Sequence, residues 1–249
     1  MEDKKWMEQS VIRASYRAVL KKGIDEERLE RFFAECQSEM KLANRAHSLL
    51  TASLYRYGRF LFLYTEGVGK RFEPEDMSDN MSSVLEYWPG VIEKAENDRI
   101  WVYMQPYYYH AVPASVEEWM QGRHPELRRG RIALLAHDKW EEYMAHHFAL
   151  MKEGLIEGDR YHLISVHENV LFSYFEEPKT ITNLLNRAGL RQESGMGSRS
   201  DTRGGTDMQS DALKDWLRTD PESHFVRFAA GQGPEPDQNF VFLPCCAGI

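Results

Sequence analysis

Residues 141–148 read EEYMAHHF, in a stretch whose spacing predicts a helix over 138–157. On a helix, side chains four apart share a face about one turn from each other, so Tyr143 and His147 can meet one ligand. A histidine, with an ordinary pKa of about 6.5, exists in both protonation states near neutrality and can give or take a proton. A phenol beside it can hold or relay a second one. The pair therefore suits proton transfer to and from one ligand.

The elements that must position this pair can be read around it. Trp140, Met144, Phe148, Met151 and Leu155 recur at i, i+4, i+8, i+11 and i+15, an apolar row expected to face a sheet, and that row is complete without Tyr143 or His147. A second helix runs from Asp25 to about Leu42. Aligning its Glu26-Glu27 with Glu141-Glu142 preserves the row as Leu29, Phe33, Cys36 and Met40, but puts Arg28 in place of Tyr143 and Phe32 in place of His147. The plainer alternative makes Tyr143 an aromatic at the edge of the row and His147 a partly buried histidine. A row complete without them, and a sister helix that discards both, favour the functional reading.

The chain is written twice. "RIALL" (131–135), the helix at 138–157 and "YHLISVHENVLFSYFEE" (161–177), with its turn at His167-Glu168-Asn169, give β-α-β-β. "SYRAVL" (15–20), the helix from Asp25 and "LLTASLYRYGRFLFLYTE" (49–66) repeat that order. Each copy closes with a tryptophan-bearing helical segment ("VLEYW", 84–88; "ALKDW", 212–216) and an aromatic strand ending in proline ("YYHAVP", 108–113; "NFVFLP", 239–244). A βαββαβ unit is the ferredoxin-like arrangement, with helices on one face of an antiparallel sheet and the other face left to be covered. The expected fold is therefore α+β: two tandem ferredoxin-like units, 11–113 and 129–244, joined by a linker at 114–128 and packed sheet to sheet as a pseudo-dimeric α+β barrel. A Gly- and Ser-rich insertion at 191–210 interrupts the second copy, with little to bury.

Composition narrows the function. A formal net charge of −8 argues against a nucleic-acid or anionic-membrane surface and leaves a neutral or small polar ligand as the expected partner. The N-terminal "MEDKKWMEQS" has no apolar core, and no apolar run approaches the roughly 20 residues of a membrane span, so a soluble, cytoplasmic protein is expected. Cys36, Cys245 and Cys246 fit reduced thiols better than a disulfide framework. The nine histidines show no HxxxH or HExxH spacing, and no metal site is expected.

The second copy resembles the L-rhamnose mutarotases, small dimeric ferredoxin-like proteins that interconvert the anomers of an aldose. "EEYMAHH" looks like that family's Glu-Glu-Tyr-x3-His helix, Tyr161 opens the second strand where the family has a sugar-contacting tyrosine, Trp216 falls in its Trp-Trp segment, and "FVFLP" is similar to its closing strand. The resemblance implies His147 as acid/base with Tyr143 beside it, Tyr161 and Trp216 as sugar contacts, and no cofactor. Asp215 stands where the family has its first tryptophan, and a fused copy lacking the Tyr–His pair stands where it has a partner subunit. With the barrel closed inside one chain, a monomer or weak homo-oligomer is expected. Two other classes stay open on the residues: a non-catalytic carbohydrate-binding or interaction module, and a monooxygenase or haem-handling enzyme on the same architecture.

Overall fold

Strand β1 (Val11–Val19), helix α1 (Glu26–Arg45), strands β2 (Leu49–Tyr57) and β3 (Phe60–Val68), the single turn α2 (Met81–Val84) and strand β4 (Val102–Tyr109) make up the first half of the chain. After α3 (Val116–Met120) the second half runs β5 (Arg128–Leu135), α4 (Trp140–Lys152), β6 (Leu163–His167), β7 (Val170–Glu176), α5 (Asp211–Arg218), a two-residue β8 (Phe225–Val226), β9 (Phe240–Leu243) and β10 (Cys245–Gly248). This is a computed structural model. It describes residues 2–78, 80–88, 99–123, 127–155, 160–177, 210–228 and 239–249; the insertion expected at 191–210 lies outside them except for Ser210.

All strand pairs are antiparallel, in the order β2-β3-β1-β4 in the first half and β6-β7-β5-β9 in the second. The two orders are the same, as a repeated ferredoxin-like unit requires. Two handovers join them. Strand β4 pairs with β1 through Val102, Tyr103 and Met104, then with β6 from Gln105 onward, with its register shifting after Pro106. In the mirrored place, β9 pairs with β5, and beyond Pro244 the chain continues as β10 on β2. Proline cannot donate to a ladder, so each bend falls where the strand changes partner. The two handovers close the pairing into one ring, an α+β barrel made by a single chain.

The interior is filled by matching side chains from the two halves. Phe62 and Tyr64 of β3 stack on Phe172 and Tyr174 of β7, with ring centroids 5.4 and 3.6 Å apart. Next in each row come Glu66 and Glu176, both accepting from Arg123, with Glu66 bonded to Arg123 at 2.7 Å and to the Tyr64 hydroxyl at 2.6 Å. All three charges are buried. Tyr55 crosses the barrel onto Gly130, where a Cβ would come within 2.8 Å of the tyrosine ring, so this strand position has room only for glycine.

The outer face of the first half is covered by α1, capped by Asp25, whose carboxylate accepts from the Arg28 amide at 2.7 Å. Its buried row is Leu29, Phe32, Cys36 and Met40, so Phe32 takes the place expected of Phe33. The closing elements of the first half also differ from expectation. Its last strand is 102–109, not 108–113, because Met104 must reach the interior beside β1. Of 84–88 only Val84 is helical, since Leu85 instead bridges to Leu20.

Candidate ligand cleft beside helix α4

Helix α4 turns a different face to the sheet from the one expected. Tyr143 and Leu150 are buried and His147 is half-buried between them, whereas Trp140 and Phe148 are 37% and 48% exposed. The row Trp140–Met144–Phe148 is therefore not the packing row. The reason lies in β4, which brings Tyr107 and Tyr108 beneath the helix. The Tyr107 hydroxyl shares a 3.0 Å hydrogen bond with that of Tyr143, and the His147 ring meets Tyr107 and Tyr108 edge-on at 5.3 and 5.6 Å. A buried phenol needs a polar partner, and Tyr143 supplies one where a methionine could not. His147 thus occupies the place that Phe32 has in the first half.

These surroundings set the chemistry of the pair. Burial pushes the His147 imidazole down to about 4, and its Nδ1 makes no hydrogen bond with any described residue. Burial raises the Tyr143 phenol, and raises that of Tyr107 well above its ordinary range. At neutral pH the imidazole is neutral and both phenols keep their protons.

The face of α4 expected to pack instead forms one wall of a cleft of about 650 Å³ over the β4–β6 handover. Trp140, Met144 and Phe148 stand on the helix side, and Tyr103, Tyr107 and Tyr109 on the strand side. Gln105, His167 and Glu168 supply the polar groups. The last two lie at the β6–β7 turn, where Glu168 takes a positive φ of 54°. Arg17, only 4% exposed and 4.4 Å below the Trp88 ring, holds this turn with 3.2 Å contacts to His167 Nδ1, the His167 carbonyl and Glu168. A guanidinium only donates, so Nδ1 accepts and the neutral ring carries its proton on Nε2. Burial, reinforced by Arg17, lowers the His167 pKa and keeps that form. The polar end of the cleft therefore offers a carboxylate, an amide and an imidazole N–H.

The four site residues expected from the sequence divide between two places. Trp216 lies 6.0 Å from Tyr143 and stacks on His224 at 5.2 Å, so Tyr143, His147 and Trp216 belong to one layer. Tyr161 is elsewhere. Its phenol donates to the Trp119 carbonyl at 3.3 Å and its ring lies 4.5 Å under Arg123, at the charged end of the barrel. None of the four lines the cleft; Tyr143 and His147 touch one of its lining residues, Tyr107.

No family model and no curated protein matches this sequence. Among solved structures, the fold is similar to a "putative monooxygenase" of Fusobacterium nucleatum subsp. nucleatum at 9% identity and a TM-score of 0.40, covering 97% of this chain and 95% of that one. It is also similar to a "putative monooxygenase" of Lactobacillus acidophilus at 7% identity and a TM-score of 0.37, covering 96% of each.

The described residues contain no group of three or more metal-ligating side chains, and none of their helices is long and apolar enough to cross a membrane. Several residues central to the structure had a signal in the sequence that the helix pattern obscured. F-x-Y-x-E occurs at 62–66 and again at 172–176, and marks both stacked tyrosines and both buried glutamates. Gln105 and Pro106 interrupt the aromatic run "YMQPYYYH", at the point where the strand changes partner.

Proposed function

We propose that this chain binds a neutral, monosaccharide-sized ring in the cleft over the β4–β6 handover. One observation carries this reading: an aromatic-walled cleft of about 650 Å³ with a carboxylate, an amide and an imidazole gathered at one end. Its volume falls in the range of small-molecule sites. Aromatic faces suit the C–H faces of a pyranose, and mixed donors and acceptors suit its hydroxyls. The aldose mutarotase reading rests on the same cleft. A sugar lying against Tyr107 would be separated from His147 by that one ring, while Glu168 and His167 would face it directly.

Calorimetry with L-rhamnose and a panel of other aldoses, paired with saturation-transfer NMR of their α/β exchange, tests the proposal. Saturable binding of one sugar per chain, weakened about tenfold or more by Phe148→Ala, is expected. Binding without accelerated exchange assigns a carbohydrate-binding module. Accelerated exchange that falls by about 10²–10⁴-fold in His147→Asn assigns the proton shuttle to α4, and the same fall in Glu168→Gln assigns it to the cleft mouth. Failure of every aldose to bind overturns the proposal.

A further inference from the structure

The ring of strands closes a second time where β10 lies on β2, and we propose that the pocket at this closure binds a small oxyanion, a carboxylate or phosphate group carried by a small metabolite. The pocket is about 380 Å³ and is bounded by Ser53 of β2, Gln37 of α1, Arg128 and Arg129 at the start of β5, and the Cys245–Gly248 strand. Its distinguishing feature is a pair of buried polar atoms, the Arg128 Nε and the Ser53 hydroxyl oxygen, with no hydrogen-bond partner among the described residues. Among the described residues the Arg128 side chain has neither an ion pair nor a hydrogen bond, and its Nε is shielded from solvent. The Ser53 hydroxyl is fully buried and makes no full hydrogen bond. The Tyr55 phenol, two residues along β2 and outside the pocket lining, lies close enough to interact with both the Ser53 hydroxyl and the Arg128 charge. Leaving buried donors unpaired is costly, so a group of them around one pocket implies something that accepts from them.

The chemistry is one-sided. A guanidinium only donates; burial keeps the Tyr55 phenol protonated, and the Ser53 hydroxyl can donate as well. The nearby carboxylates are already engaged. Glu176, the cross-strand neighbour of Arg128, is held by Arg123, and Glu177 pairs with Arg129 at 3.2 Å. In a chain of net charge −8 this leaves one unneutralised cation beside hydroxyl donors, a set that matches two oxygens of an oxyanion on a guanidinium fork. The Cys245 thiol does not compete, because burial raises its pKa and it donates to the Ala247 carbonyl. The cleft beside α4 offers aromatic faces and an acceptor carboxylate instead, so the two handovers of one barrel are built for ligands of opposite character.

NMR titration of the full chain with inorganic phosphate and, separately, with acetate, against chloride at matched ionic strength, tests this inference by following the backbone amides of Ser53, Arg129 and Ala247 in every variant and the Arg128 Nε–H resonance where Arg128 is present. The expected result is a saturable shift with at least one oxyanion and none with chloride. Affinity should fall about tenfold or more in Arg128→Gln and less in Arg128→Lys, which keeps the charge and loses the fork. Ser53→Ala should weaken binding without moving the far cleft, and Phe148→Ala should leave it unchanged. A response to phosphate alone points to a phosphate monoester, and a response to acetate alone to a carboxylate. Equal behaviour of phosphate, acetate and chloride overturns the inference. So does wild-type affinity in a folded Arg128→Lys and Ser53→Ala pair, whatever becomes of Arg128→Gln.

Discussion

At the scale of single residues, His147 is a half-buried titratable position packed edge-on against Tyr107 and Tyr108. Its imidazole is held neutral by burial, with a pKa of about 4 against an ordinary value of about 6.5. Between those values the unfolded chain binds more protons than the folded one, so this residue's contribution is present above about pH 6.5 and is lost as pH falls toward 4. Burial lowers His167 and His224 in the same direction. Urea unfolding should show wild-type stability falling between pH 7 and 4.5, with about 1–3 kcal/mol of that loss due to His147. His147→Phe copies the first half, where Phe32 fills the matching place, and should fold at pH 7 while losing that part of the slope. An unchanged slope in His147→Phe would show that the imidazole is not desolvated.

At the scale of elements, the charged end of the barrel depends on one arginine from the segment after α3. Glu66 and Glu176 lie on neighbouring positions of the matched strands β3 and β7, and Arg123 bridges them. Burial alone would raise the Glu66 carboxyl, but Arg123 outweighs it and holds it below the usual range. Arg123→Met should therefore cost about 3–5 kcal/mol at pH 7, the usual effect of leaving a buried charge uncompensated. Its stability should also run opposite to wild type above about pH 5, improving as pH falls, because protonating one carboxyl relieves the repulsion. Denaturation at pH 5 and 7 reads both effects. The strand and helix order was legible in the sequence, since alternation, turns and the doubled β-α-β-β pattern depend on local spacing. The face of α4 was not. Hydropathy ranks Trp140 and Phe148 above Tyr143 and His147, and only the arrival of Tyr107 beneath the helix, 36 residues away in sequence, decides which row is buried.

At the scale of the whole molecule, the two halves share one ring of strands and one interior, so neither has a complete core alone. Fragments 1–113 and 114–249 expressed separately should aggregate or unfold, and mixing them should restore a 1:1 complex on size exclusion. Two independently stable monomers would contradict the shared barrel. The tandem repeat makes the halves alike in backbone, and the side chains at the two handovers make them unlike in chemistry. The cleft beside α4, proposed above as a ligand site, is the consequence that bears most on function. The most direct test is an amide NMR titration of the full chain with L-rhamnose and the aldose panel. Ligand binding at the cleft requires saturable shifts confined to it, at Gln105, Tyr107, Phe148 and Glu168, with His147 moving less than Phe148. It would be contradicted by the absence of any saturable shift, or by shifts centred on Tyr161 and Arg123 with the α4 cleft silent.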